Sequence, residues 1–82
     1  MTLNQIYAKI YEFCKRNNLE CKKEGKNYFV IFEKNIQESF EVEIIDSSNI
    51  NQLNIVKFYH RKNTGEKMKE IITKLFFEIF SF

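Results

Sequence analysis

Five basic residues near the C-terminal end are the side chains most able to do chemistry in this sequence. Tyr59 and His60 lie among them; the five are Lys57, Arg61, Lys62, Lys67 and Lys69. Each basic residue close to an acidic lipid leaflet contributes about 1 kcal/mol, so five would give roughly 5 kcal/mol gross. The cluster therefore predicts an anion-binding patch that makes weak, reversible, salt-sensitive contact.

The same residues have a second interpretation as ordinary strand and surface charges. On a strand, Lys57 and Arg61 point to the same side, where they would pair across strands with Glu41 and Glu43. Each such pair contributes roughly 0.2 to 1 kcal/mol. The remaining lysines would then serve to keep the domain soluble, and no anion site would follow.

Catalysis and metal binding have little support. Two glycines cannot form a Gly-rich phosphate loop, and the single His60 has no Ser-Asp or Cys partner at a suitable spacing. Cys14, Cys21 and His60 supply three of the four ligands that a zinc site needs, so we expect both cysteines to be reduced core residues. We predict no catalytic residue, no metal and no cofactor.

Nucleic-acid binding is a further alternative, in which Tyr59 and His60 would stack on bases beside the lysines. The basic residues are few for such a surface, and the aromatic residues are more easily placed in the core or over the sheet. We therefore expect no nucleic-acid partner.

Length and composition predict one small globular domain spanning residues 1–82. Apolar residues make up 44% of the chain, and nine Phe and four Tyr supply ample surface for a single core. No apolar run approaches the roughly 20 residues of a membrane span, and the first residues lack the features of a signal peptide. We expect a cytoplasmic domain.

Helices are predicted at both ends of the chain. The first runs from Thr2 to about Asn17, and Thr2 with Gln5 forms a capping-box pattern. The second follows Asn63 or Thr64, either of which could cap it. Its apolar stripe is regular and comprises Met68, Ile71, Ile72, Leu75, Phe76, Ile79 and Phe80.

Four strands are predicted between the helices, at residues 19–24, 28–32, 39–45 and 53–60. The third alternates most cleanly, with Phe40, Val42 and Ile44 against Glu41 and Glu43. The stripe of the last helix needs a broad apolar surface, and a sheet of these strands is the one available. The prediction is an α+β fold of order α-β-β-β-β-α, with two helices on one face of an antiparallel sheet.

Four stretches, taken in order, carry a family resemblance. They are Phe13–Asn18, Tyr28–Phe32, Phe40–Ile44 and Val56–Gly65, followed by the helix that ends near Phe80. With them the chain resembles the kinase-associated 1 domain, which lies at the C-terminus of microtubule-affinity-regulating kinases and their AMP-activated-kinase relatives. The resemblance covers nearly all 82 residues.

The resemblance implies a non-catalytic regulatory domain of a Ser/Thr protein kinase, excised from a longer chain. Its expected partners are anionic phospholipids such as phosphatidylserine, at the inner face of the plasma membrane, and the kinase domain of the same chain, which it would hold autoinhibited. Three basic positions of the family fall on Lys57, Arg61 and Lys62. The family's basic positions on the first helix fall near Ala8 and Tyr11, which are not basic in this chain.

An alternative function needs no lipid. The domain, expected to be monomeric, would dock its own kinase or an adaptor protein through apolar residues that lie off the main stripe of the last helix. Those residues are Phe77 and Phe82.

Overall fold

The computed structural model of the chain describes residues 2–35, 37–45 and 55–80. Its elements are α1 (Leu3–Arg16), β1 (Glu20–Gly25), β2 (Tyr28–Glu33), β3 (Glu38–Ile45), β4 (Ile55–His60) and α2 (Glu66–Phe80). The predicted α+β fold and element order are confirmed. Residues 53 and 54 of the predicted fourth strand, and Phe82, lie outside the described residues.

The four strands form one antiparallel sheet in the order β1-β2-β3-β4. Alternate residues of the two central strands are buried beneath the helices, and in β3 the apolar alternation predicts this. They are Phe29 and Ile31 of β2 and Phe40, Val42 and Ile44 of β3. The opposite face of the sheet, called the outer face below, carries Glu41 and Glu43 of β3 and the apolar residues Val30 and Phe32 of β2.

The core lies between this sheet and the two helices. Helix α1 packs on β1, α2 packs on β3, and the helices also contact each other. The helical residues that close the core are Ile6, Ile10, Phe13, Cys14, Met68, Ile71, Leu75 and Ile79.

Both ends of α1 follow the sequence prediction. Thr2 Oγ1 accepts a hydrogen bond from the Gln5 N–H at 3.2 Å, and Gln5 Oε1 accepts one from the Thr2 N–H at 2.8 Å. This is the predicted capping box. At the other end Asn18 takes a left-handed backbone conformation with φ of 55°, which suits asparagine and ends the helix.

The start of α2 differs from the prediction that Asn63 or Thr64 caps it. The Asn63 amide instead accepts from Ser39 Oγ at 2.8 Å, and Thr64 Oγ1 donates to the Ser39 carbonyl at 2.6 Å. The carboxylate of Glu38 takes the capping role, accepting a long hydrogen bond of 3.4 Å from the Met68 N–H. The prediction was wrong because the cap comes from a strand, a source that helix-end patterns do not show.

Candidate docking surface

Lys57 of β4 and Arg61, which directly follows β4, lie on the outer face of the sheet. Arg61 Nε lies 3.7 Å from Glu41 Oε2, which confirms one of the two predicted cross-strand pairs. Lys57 stands opposite Glu43 in the register, but no ion pair joins them among the described residues. The Glu43 carboxylate instead accepts a hydrogen bond of 2.7 Å from the Tyr59 hydroxyl.

The other predicted basic residues belong to the turn and to α2. Lys67 Nζ lies 2.8 Å from Glu33 Oε2, and Lys69 Nζ lies 3.3 Å from Glu66 Oε1. Lys62 is exposed and has no ion pair within the part of the chain that the structure describes. The five cations are thus divided between the outer sheet face, a turn and the helix layer, and three of them have carboxylate partners.

The outer sheet face also carries an open groove of about 480 Å³. Val30 and Phe32 line its apolar part, while Lys34, Glu38 and Arg61 contribute charges of both signs. Beside it, Tyr28 and Tyr59 stack with ring centroids 6.3 Å apart. A groove with mixed charge has no electrostatic preference for an anion.

Tyr59 interacts with two neighbouring residues of the sheet, Glu43 and Tyr28. Its hydrogen bond to Glu43 raises the pKa of the phenol, because ionisation would remove the proton that is donated to the carboxylate. The hydroxyl and one ring face therefore already have partners on the protein.

A group of four aromatic side chains, two of them exposed and two half-buried, lies between α2 and the edge strand β4. We call Phe58, Phe76, Phe77 and Phe80 the aromatic patch. Phe76 is at its centre, with ring centroids 6.4 Å from Phe58, 5.8 Å from Phe77 and 4.9 Å from Phe80. Phe76 is 46% exposed and Phe77 is 63% exposed.

The orientation of α2 explains why the patch stays open. Its fully covered positions are Met68, Ile71, Leu75 and Ile79, and the side of the helix near Glu78 faces α1. There Lys9 Nζ donates to the Glu78 carbonyl at 3.2 Å, and Arg16 forms an ion pair with the Glu78 carboxylate. The flank away from α1 has no such cover among the described residues.

Sequence reasoning identified only part of this surface. Phe77 was predicted off the buried stripe and is exposed. Phe76 was predicted within the stripe, but it lies on the surface, and Phe80 is only partly buried. The apolar stripe of α2 is wider than the sheet surface that it covers. The width of this stripe was the sequence feature that could have predicted the patch.

The strand beside the patch is an edge strand. Among the described residues β4 pairs only with β3, and this register is continuous from Phe40 opposite His60 to Ile45 opposite Ile55. The segment from Ile55 to Gly65 contains Lys57, Arg61 and Lys62 but no acidic residue. The aromatic patch therefore borders a strand edge that has no second partner strand among the described residues and that carries Lys57.

Within the described residues the cysteines belong to no candidate metal site. The described residues contain no group of three or more His, Cys, Asp or Glu side chains placed to hold an ion. Cys14 and Cys21 are unbridged, and the hydrogen bond between their side chains raises the pKa of Cys14, with burial adding to the effect. The same bond lowers the pKa of Cys21, and burial opposes that shift.

These features define a small α+β domain with an exposed aromatic surface. Neither described helix is long and apolar enough to cross a membrane. Comparison of the chain with protein-family models, with curated proteins and with solved structures finds no match in any of the three.

Proposed function

We propose that this domain is a non-catalytic protein-docking module that binds its partner through the aromatic patch. The exposure of Phe76 and Phe77 side by side on one helix flank carries the proposal. Aromatic side chains are enriched at the centres of protein interfaces, where burying them supplies much of the binding energy. Contiguous exposed apolar patches on a small domain mark such sites more often than isolated apolar residues do.

The charges favour protein docking over lipid contact. Three carboxylates, those of Glu33, Glu41 and Glu66, lie within 4 Å of three of the five predicted lipid-binding cations. The cluster then presents a net charge of two to an acidic leaflet, or about 2 kcal/mol instead of about 5. This is too little for stable membrane attachment.

A narrower proposal concerns the partner. The resemblance to kinase-associated domains implies the kinase domain of the same, longer polypeptide, held inactive by the docked module. Resemblance alone supports this partner. A pull-down with that purified kinase domain, with no vesicles present, tests it directly.

Selection from a random peptide library displayed on phage tests the docking function without assuming a partner. We expect wild-type domain to enrich peptides rich in apolar residues, and the Phe76→Gln/Phe77→Gln variant to lose binding to them. Glutamine suits a helix, and both side chains are exposed, so the variant should fold. Tyr11→Gln is the matched control, because Tyr11 is 47% exposed but lies on α1. Peptides that bind wild type and the Phe76→Gln/Phe77→Gln variant equally would refute the proposal.

Anionic lipid binding remains a second candidate because Lys57 and Lys62 are exposed and have no ion pair among the described residues. Co-sedimentation with phosphatidylserine vesicles at low and physiological salt measures it. Strong sedimentation at physiological salt, abolished by Lys57→Glu/Lys62→Glu and unaffected by Phe76→Gln/Phe77→Gln, would favour lipid over protein docking.

A further inference from the structure

The two edges of the sheet differ in how well they could accept another strand. On β1 the register shifts between Lys23 and Gly25, an irregularity that hinders pairing at an edge. The described part of β4 has no such shift, from Ile55 to His60. An edge strand leaves half of its backbone N–H and C=O groups without a neighbour, so β4 offers a regular row of them.

Strand β3, which pairs with β4, shows which side chains stand beside β4 on each face of the sheet. Toward the helices, Val42 of β3 stands opposite Phe58. On the outer face, Glu43 stands opposite Lys57, and Glu41 forms an ion pair with Arg61. A partner strand for β4 thus alternates apolar residues on the helix side with acidic residues on the outer side.

The free side of β4 has the same two environments. On the helix side Phe58 lies beside Phe76, and both belong to the aromatic patch. On the outer side Lys57 lacks a carboxylate partner among the described residues, and Ile55–Gly65 has no acidic residue of its own. Charge complementarity therefore favours an acidic strand at this edge.

We propose that the β4 edge and the aromatic patch together bind an extended segment of a partner protein in which apolar and acidic residues alternate. The segment adds a fifth strand to the sheet. Its apolar side chains cover Phe58 and Phe76, and its acidic side chains lie beside Lys57. This inference rests on the proposed docking function and specifies the chemistry of the partner.

Positive charge makes a second copy of this chain the weaker occupant. Two β4 edges brought together would place Lys57, Arg61 and Lys62 of one copy near the same cations of the other. Like charges facing each other across strands are destabilising. Formation of a dimer through β4 would therefore contradict the proposed partner.

A synthetic eight-residue peptide that alternates glutamate with valine or phenylalanine tests the inference. We expect it to bind the whole domain in fluorescence anisotropy, with amide NMR shifts concentrated in β4 and the exposed flank of α2. Lys57→Gln should weaken binding roughly two- to fivefold, since an exposed ion pair contributes little. Lys22→Gln should leave it unchanged, because Lys22 lies on the outer face of the opposite edge strand.

Two control peptides separate strand addition from general attraction. A peptide of the same composition in scrambled order, and one N-methylated on the amides that face β4, should both fail to bind. Equal binding of either one, or NMR shifts centred on β1, would overturn the inference. So would a concentration-dependent dimer that forms through β4 without peptide.

The inference and the proposed function can fail separately. If library peptides bind the aromatic patch but the alternating peptide does not, the docking function is supported and strand addition at β4 is refuted. If neither kind of peptide binds and only phosphatidylserine vesicles do, both proposals are refuted.

Discussion

The interaction between the two cysteine side chains shifts their pKa values in opposite directions. Hydrogen bonding with Cys21 raises the pKa of Cys14, and burial in the core adds to the effect. The interaction with Cys14 lowers the pKa of Cys21, and burial opposes that shift. Sequence predicted two reduced core residues but could not show that their side chains interact.

This asymmetry predicts the order of alkylation. Because thiolate is the reactive form, iodoacetamide at neutral pH should modify Cys21 before Cys14. The lowered pKa of Cys21 means that its reaction begins at a lower pH in the folded chain than in the urea-unfolded chain. Mass spectrometry of quenched, digested samples measures both rates, and the unfolded chain is the control. Faster modification of Cys14 would contradict the directions of the two pKa shifts.

Gly65 lies close to the carboxylate of Glu38. A Cβ at position 65 would lie 2.7 Å from the Glu38 carboxyl carbon, nearer than real Cβ contacts allow. The flexible carboxylate would have to move, and it would then lose its hydrogen bond to the Met68 N–H and its favourable place near the N-terminus of α2.

Gly65→Ala should therefore destabilise the domain by about 1 kcal/mol, which is typical of a lost helix cap. In a Glu38→Ala background the clashing carboxylate and the helix cap are both absent, so Gly65→Ala should lower the free energy of unfolding distinctly less. Urea denaturation of wild type, both single variants and the double variant completes this double-mutant cycle. Strict additivity of the two changes would show that Gly65 and Glu38 act independently.

At the scale of elements, local patterns were sufficient for most of the fold. The alternation of β3 and the capping box of α1 each depend on neighbours close in sequence, and both are found as predicted. The cap of α2 and the pair Lys67–Glu33 were not predictable, because each joins a helix residue to a strand. Only the packed sheet brings these groups together.

The width of the α2 stripe is the clearest limit of sequence reasoning. Periodicity assigned Leu75 and Phe76 to the same buried face, yet Leu75 is 0% exposed and Phe76 is 46% exposed. A helix pattern gives the angle of each side chain about the axis but not the extent of the sheet beneath it. The aromatic patch is exposed because the sheet does not extend far enough to cover that side of α2.

Truncations along α2 should separate core from surface. Leu75→Ala should lower the free energy of unfolding by about 2 to 5 kcal/mol, because it leaves a cavity in the core. Phe77→Ala should change it by less than about 0.5 kcal/mol, as expected for an exposed side chain. Urea denaturation followed by circular dichroism measures both. A large loss from Phe77→Ala would make Phe77 a packing residue and remove it from the docking surface.

For the whole molecule, charge is unevenly distributed along the chain: residues 27–56 carry one basic and five acidic side chains, whereas residues 57–82 carry six basic and three acidic ones. The sequence alone does not show how these charges meet in space. The acidic segment contains β3, whose Glu41 pairs with Arg61 of the basic segment, so part of the charge is matched internally. What remains unmatched among the described residues includes Lys57, on the edge strand beside the aromatic patch. Lysines on edge strands oppose uncontrolled pairing between molecules.

This placement predicts how the molecule behaves when the edge charge is removed. Wild-type domain should sediment as a monomer at tens of micromolar concentration. Lys57→Ile keeps β-propensity but joins an apolar edge to the aromatic patch, so it should form concentration-dependent dimers or larger species. Analytical ultracentrifugation over a tenfold range of concentration measures this. Lys15→Ile makes the same chemical change on exposed α1 and should stay monomeric; association of both variants alike would show that added apolar surface, and not the β4 edge, is the cause.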